Sequence, residues 1–137
     1  MAKEAAELLQ RVPLFADLER KELEEIASAM KQRTFSAGQQ IAVEGESGVG
    51  FFVIEDGQAK VTIAGEERRT LGPGDYFGEV ALITHGARTA TVTADTDLRT
   101  YGMTFWDFRP LVEETPSIAW KLLQSAVKQY DQSSVQN

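Results

Sequence analysis

The hydrophobic positions of this chain change period twice. In residues 1–30 they recur as on a helix. Leu8, Leu9 and Val12 form a short apolar stripe and Pro13 interrupts it. Leu23, Ile26, Ala27 and Met30 then fall at i, i+3, i+4 and i+7. Asp17 is the expected N-cap of that second helix, and Arg20, Lys21, Glu22, Glu24 and Glu25 make its solvated face. Residues 32–103 read instead as short apolar or β-branched runs cut by glycines. Strands are expected over 33–35, 40–43, 51–55, 58–63, 68–71, 89–94 and 97–103, with breaks at Gly38, Gly45, Gly48, Gly57, Gly65, Gly72 and Gly74. Asp56-Gly57 between two such runs predicts a β-hairpin. Many short strands with regular turns point to an antiparallel sandwich or roll. From residue 104 to 133 the helical period returns. Thr104 and Asp107 fit a capping box. Pro110 has no N–H and is expected to break or restart that helix. Thr115-Pro116 offers a second start, with proline at the first helical position. Ile118, Leu122, Leu123, Ala126, Val127 and Tyr130 then share one apolar face.

Length and composition narrow the classes. The 137 residues, 42% of them hydrophobic, suit one domain, 1–137, with N-terminal helices over about 3–30, a β-roll over about 32–103 and C-terminal helices over about 104–133. The absence of cysteine excludes a disulfide scaffold, a thiolate metal site and a cysteine nucleophile. One histidine, His85, makes neither a zinc cluster nor a catalytic dyad, so it reads as a loop residue; no metal, no cofactor and no catalysis are expected. The net charge of −7 argues against a nucleic-acid surface and against an electrostatic membrane anchor. A small anion could still bind where oriented amides and one arginine organise the site locally. No apolar run reaches the length of a membrane span, and the acidic N-terminus is not a secretory signal, so the cytoplasm is the expected location.

The chemistry concentrates in residues 77–92, FGEVALITHGARTATV. Gly72-Pro73-Gly74-Asp75 is a tight turn leading into it, with Tyr76 and Phe77 as apolar anchors. Gly78 permits a close backbone approach or a dihedral closed to other residues. Glu79, Val80, Ala81 and Leu82 suit a single helical turn whose first N–H groups would form an anion site. Arg88 follows nine residues after Glu79, at the start of a strand. Two opposite charges in such an apolar neighbourhood cost free energy unless something pairs with them. Two readings fit the residues. The pair could bridge each other on the surface, for little energy. Alternatively, Arg88 takes a phosphate and Glu79 takes a sugar hydroxyl beside it, since a carboxylate repels the phosphate itself.

The chain resembles the cyclic nucleotide-binding domain of bacterial catabolite-activator-type regulators, cyclic-nucleotide-dependent kinases and gated channels. Residues 77–92 match, without a gap, the kinase form of that family's phosphate-binding cassette. The family's glycine framework is present too: Ser36-Ala37-Gly38 before Ile41, the Glu44-Gly45 turn, Phe52-Val53-Ile54, Gly57, and Gly72-Pro73-Gly74-Asp75. Leu14-Phe15 and the helix after Leu18 resemble its N-terminal part, so the likeness runs from about Leu9 to Tyr130. The resemblance implies an antiparallel β-roll of double-stranded jelly-roll type with N-terminal helices and C-terminal lid helices. It implies cAMP as the ligand, or else cGMP, with Thr89 compatible with either. In that family's pattern Glu79 accepts from the ribose 2′-OH, the Gly78 backbone meets the sugar, the Ala81 and Leu82 amides face the cyclic phosphate, Arg88 neutralises it, and Thr89 adds its N–H or hydroxyl. Phe77, Val80 and Ala90 complete the implied ligand-binding set. The last helix, 116–132, would close over the base, with Tyr130, Leu123 or Val127 as the cap.

Three positions depart from the pattern: Ala87 where proline often precedes the arginine, Gly50 where an acidic residue is common, and Phe52 where tyrosine is common. Phe105, Trp106 and Phe108 read as an aromatic cluster packing the first C-terminal helix on the roll. Trp120, like Tyr130, is either core or a stacking platform for a purine. The face through Leu123 and Val127 could instead meet a second copy or an effector protein. The expected function is a sensor module whose ligand repositions the C-terminal helices. A transcription regulator would need a DNA-reading helix-turn-helix beyond Asn137, so the alternative is the ligand-binding fragment of such a regulator, or of a channel or kinase; a β-roll metal enzyme would need more than one histidine.

Overall fold

The computed structural model describes residues 2–48, 50–83 and 87–136, and within them the side chains of all but residues 2, 3, 130 and 132–136. The glycine-punctuated middle of the chain folds into strands β1 (Lys31–Phe35), β2 (Gln40–Ala42), β3 (Gly50–Asp56), β4 (Ala59–Ile63), β5 (Glu66–Leu71), β6 (Tyr76–Phe77), β7 (Thr91–Ala94) and β8 (Leu98–Thr104). They form two four-stranded antiparallel sheets, ordered β1-β8-β3-β6 and β2-β7-β4-β5. Alternation along β3 divides the interior in two. Ile54 and Phe52 turn inward, toward Ala59, Leu71, Phe77, Val92, Ala94 and Leu98 between the sheets. Phe51 and Val53 turn outward, to a second core under the helices with Leu9, Phe15, Ile26, Phe108 and Ile118. Phe15 joins these layers, its ring set edge-on to Phe51 at 5.7 Å and to Phe108 at 6.3 Å.

Helix α1 (Ala2–Leu9) and the 3-10 turn Pro13–Phe15 precede α2 (Arg20–Ser28); α3 (Phe105–Glu114) and α4 (Pro116–Gln136) follow the roll. The C-terminal starts are those expected. Thr104 caps α3 in a capping box with Asp107, and Pro116 opens α4 after Thr115.

Four expectations are corrected and one open alternative is decided. Asp56-Gly57 makes the reversal but no hairpin, because β3 and β4 belong to different sheets. Gly57, at φ 96, turns the chain from one sheet to the other, and β8 takes the place beside β3. The tight hairpin is β4–β5, closed by Ala64 and Gly65 at φ 54 and 80. Asp17 does not cap α2: Glu19 does, its N–H donating to Glu22 Oε1 at 2.9 Å. Pro110 stays inside α3, where it is exposed, so water can reach the carbonyl it leaves unbonded while Phe105 and Phe108 anchor the other side. Of the two readings of Trp120, its 62% exposure removes the core one. Trp106 is likewise exposed, against the edge of the Phe105 ring at 4.9 Å, so only Phe105 and Phe108 of that cluster pack inward. His85 lies outside the described residues.

Candidate functional site

β6 is two residues long, and its end sets the site. Gly78 leaves it at φ 86 and ψ 11, a left-handed conformation that suits glycine. A Cβ there would collide with the Gly50 carbonyl and lie 2.8 Å from Arg88 Nη1. The chain thus turns sharply into the 3-10 turn Glu79–Leu82, with the Ala81 N–H donating to the Gly78 carbonyl at 3.0 Å. That amide, expected to face an anion, is already engaged, because the left-handed glycine aims its carbonyl into the turn. Arg88 is held from a different direction. Its N–H donates to the Glu46 carbonyl at 2.8 Å, and its carbonyl accepts from Gly45 N–H at 2.9 Å. Its guanidinium reaches back across the site, Nη2 donating to the Gly50 carbonyl at 2.6 Å.

These segments enclose a cavity of about 340 Å³ at one end of the roll. Phe77, Gly78, Glu79, Val80, Ala81, Arg88, Thr89 and Ala90 all line it, above a floor of Ala42, Val61 and Val92. Leu82 does not; it is buried beside a separate apolar groove of about 520 Å³ between the 3-10 turn, α3 and α4. Leu123 borders that groove, and neither Leu123 nor Val127 lines the ligand-sized cavity. The Tyr130 side chain lies outside the described residues.

Seven lining residues escaped the sequence reading: Gly48, Arg69, Tyr76, Ala87 and the floor residues Ala42, Val61 and Val92. Arg69 is a second cation, and β5 brings it there opposite Val61 of β4. The signal existed in the alternation of β5, but which face points to the cavity depends on the β4–β5 register.

The electrostatics separate the two readings of the acid and the base. Burial pushes the Glu79 carboxyl above its ordinary range, and the N–H groups of Glu79 and Val80, with Arg69, offset part of that rise. Burial lowers the Arg88 pKa. Among the described residues no salt bridge joins the two. A carboxylate and a guanidinium therefore face one cavity without neutralising each other, which is costly in an empty site and favourable in one that holds a matching ligand. The guanidinium suits an anion; the carboxylate suits a hydroxyl donor a few ångströms away. Among the described residues no cluster of histidine, cysteine, aspartate and glutamate could hold a metal ion, and no helix is long and apolar enough to cross a membrane.

Comparison with known proteins points the same way. The family model described as cyclic nucleotide-binding domain matches residues 32–115. A cAMP-dependent protein kinase regulatory subunit from Yarrowia lipolytica is 43% identical over 93 residues, which is 66% of this chain and 25% of that subunit. The chain thus spans a quarter of that relative's length. The N-terminal domain of a transcriptional regulator from Streptomyces coelicolor A3(2) superposes with a TM-score of 0.85 at 27% identity, covering 93% of this chain and 92% of that one. A structure described as cAMP bound PfPKA-R (141-441) gives 0.72 at 29% identity, covering 96% of this chain and 45% of that one.

Proposed function

The chain belongs to the cyclic nucleotide-binding domain family, and from that premise we propose that it is a regulatory module that binds cAMP, performs no chemistry, and answers its ligand by moving the C-terminal helices. The observation that carries this reading is the unpaired couple of Glu79 and Arg88 on one cavity. A 3′,5′-cyclic nucleotide brings a phosphate for Arg88 and a ribose 2′-OH for Glu79 on one small rigid ring. The likeness to a cAMP-dependent kinase subunit and to a cAMP-bound structure supports cAMP as the ligand and adenine as its base. Thr89 at the cavity wall is compatible with cGMP. Thermal melting with cAMP, cGMP and 5′-AMP tests the reading. At a hundredfold excess over Kd a true ligand adds about 2.7 kcal/mol, or about 5–10 °C in a domain of this size. cAMP is expected to give the largest rise and 5′-AMP none; no rise with either cyclic nucleotide would end the proposal.

The helix movement is supported by how α4 is seated. One side of it forms a polar seam with the N-terminal segment. Ser117 and Lys121 donate to Glu22 at 2.9 and 2.6 Å, and Ser125 and Lys128 donate to Asp17 at 3.2 and 3.0 Å. Burial opposes ionisation of Glu22, but Lys121, the Glu19 N–H and Ser117 outweigh it and lower its pKa; Lys128 and Ser125 lower that of Asp17. The other side leaves Trp120, Leu123 and Val127 more than half exposed. In the closed state we propose, α4 gives up the seam and Leu123, Val127 and Tyr130 cover the base. Breaking the seam in advance with Lys121→Ala and Lys128→Ala should then tighten cAMP binding at least about three- to fivefold. The exposed Lys128–Asp17 pair contributes about 0–1 kcal/mol. Loss of Lys121 leaves the buried Glu22 carboxylate without its cation, which disfavours the seated state further. Calorimetry giving an unchanged or weaker affinity would refute the movement. Pairing of the same apolar face with a second copy is the competing use of Leu123 and Val127, and sedimentation with and without cAMP separates the two.

A further inference from the structure

We propose that Gly48 is a positioning residue for Arg88, its missing side chain being the slot in which the guanidinium lies. The proposal rests on the cyclic-nucleotide reading for its function but on geometry for its substance. Glycines in this chain serve two different needs. Gly38, Gly45 and Gly65 have left-handed φ values near +80 to +91 and open space where a Cβ would stand, so each is present for its backbone conformation. Gly48 is the reverse case. Its φ is not left-handed, so no such backbone conformation calls for glycine, yet a Cβ there would lie 2.6 Å from Arg88 Cζ and 2.7 Å from Arg88 Cδ. What a side chain at 48 would displace is the shaft and fork of Arg88.

The slot has three sides, two from the stretch that enters β3 and one from the segment before the 3-10 turn. Gly48, in the loop before β3, forms one. The Gly50 carbonyl, at the start of β3, fixes Nη2 at 2.6 Å. Gly78, before the 3-10 turn, closes the third, with its missing Cβ 2.8 Å from Nη1. The glycine at 50 has a separate reason, since a Cβ there would stand 2.9 Å from the Phe52 ring. Among the described residues no carboxylate bridges Arg88, so backbone alone orients the fork. This leaves the full positive charge for the ligand. It also makes the orientation depend on empty space, because a flexible arginine yields to any added atom by swinging out of place. Arg88→Ala removes the charge; Gly48→Ala keeps the charge and misplaces it.

The test is a double-mutant cycle read by calorimetry with cAMP and by ligand-free melting. Gly48→Ala is expected to weaken cAMP binding at least tenfold. In the Arg88→Ala background the same change should cost nothing further, because there is no guanidinium left to move. A wild-type affinity for Gly48→Ala, or losses that add across the cycle, would overturn the proposal. Ligand-free melting supplies the reading that needs no ligand. Gly48→Ala should lower the melting temperature by about 2–4 °C with Arg88 present and leave it unchanged or slightly raised once Arg88 is alanine, where only the reduced chain entropy of the unfolded state remains. An equal fall in both backgrounds, or recovery of folding in neither, would show that glycine at 48 serves the backbone. Wild-type protein that binds no cyclic nucleotide would defeat the functional reading, while the melting cycle would still judge the slot.

Discussion

Arg88→Ala is expected to lower the affinity for cAMP about 10- to 100-fold. A charge-assisted pair contributes about 1.5–3 kcal/mol, and each 1.4 kcal/mol is a factor of about ten in Kd. The loss should be no smaller here than elsewhere. The chain carries a net charge of −7, so the global field repels the ligand and the local cation must offset it. Arg69 also lines the cavity and keeps some positive potential there, which sets the upper end of the range. The ligand-free melting temperature should move by no more than about 2–4 °C. Removing a half-buried charge relieves desolvation, and losing the 2.6 Å bond to the Gly50 carbonyl offsets that relief. Calorimetry and melting on the same preparation check both halves. An affinity within threefold of wild type would remove Arg88 from the phosphate contact.

The second large effect belongs to Glu79 and has two signs. Glu79→Ala should weaken cAMP about tenfold or more while leaving 2′-deoxy-cAMP nearly unchanged, because the deoxy ligand has no hydroxyl to donate. Equal losses for both ligands would contradict the ribose assignment. Without ligand the same side chain is a burden. Its folded pKa is raised above the ordinary 4.5 by burial. Its contribution to stability is thus fully present below the unfolded value and is lost as pH rises through the raised folded one. At neutral pH the ionised form is a cost, so Glu79→Gln is expected to melt higher than wild type when empty and to bind cAMP more weakly. Cyclic nucleotide binding of the wild type should fall as pH drops through the raised pKa, where the acceptor becomes a neutral acid. Binding of the Glu79→Gln protein should be flat over that window. A ligand-free Glu79→Gln protein that melts below wild type at pH 7 would mean that the carboxylate has a structural partner.

The cassette was legible because its parts are neighbours in the chain. Gly78, Glu79 and Arg88 lie within eleven positions. A glycine before a short turn and an arginine at a strand's start carry their meaning locally, whatever the rest of the fold does. Arg69 and Gly48 were not legible in the same way, nor was the floor of Ala42, Val61 and Val92. They reach the cavity only through the pairing of β2, β7, β4 and β5 and through the loop that clips Arg88. Asp56-Gly57 shows the limit of a local signal. The dipeptide specifies a reversal of direction, and the partner of the strand that follows is chosen by burial, with Ile54 and Leu98 on one inner face and Ala59 and Val61 on the other. Asp17 shows the limit of a capping rule. Its carboxylate was as suitable for the helix as that of Glu19, but Ser125 and Lys128 recruit it from more than a hundred residues away.

The periods of helix and strand, the glycine punctuation and the acid–arginine spacing were determined by the sequence alone, since steric limits on the backbone and solvation of each side chain act over a few residues. Which glycine makes room for which side chain was decided only by the tertiary structure. So were the cation that joins Arg88 at the cavity and the seating of α4 on Asp17 and Glu22 rather than over the cavity. Those choices depend on close packing between segments far apart in the chain, where a single methyl group or a single strand register changes what touches what.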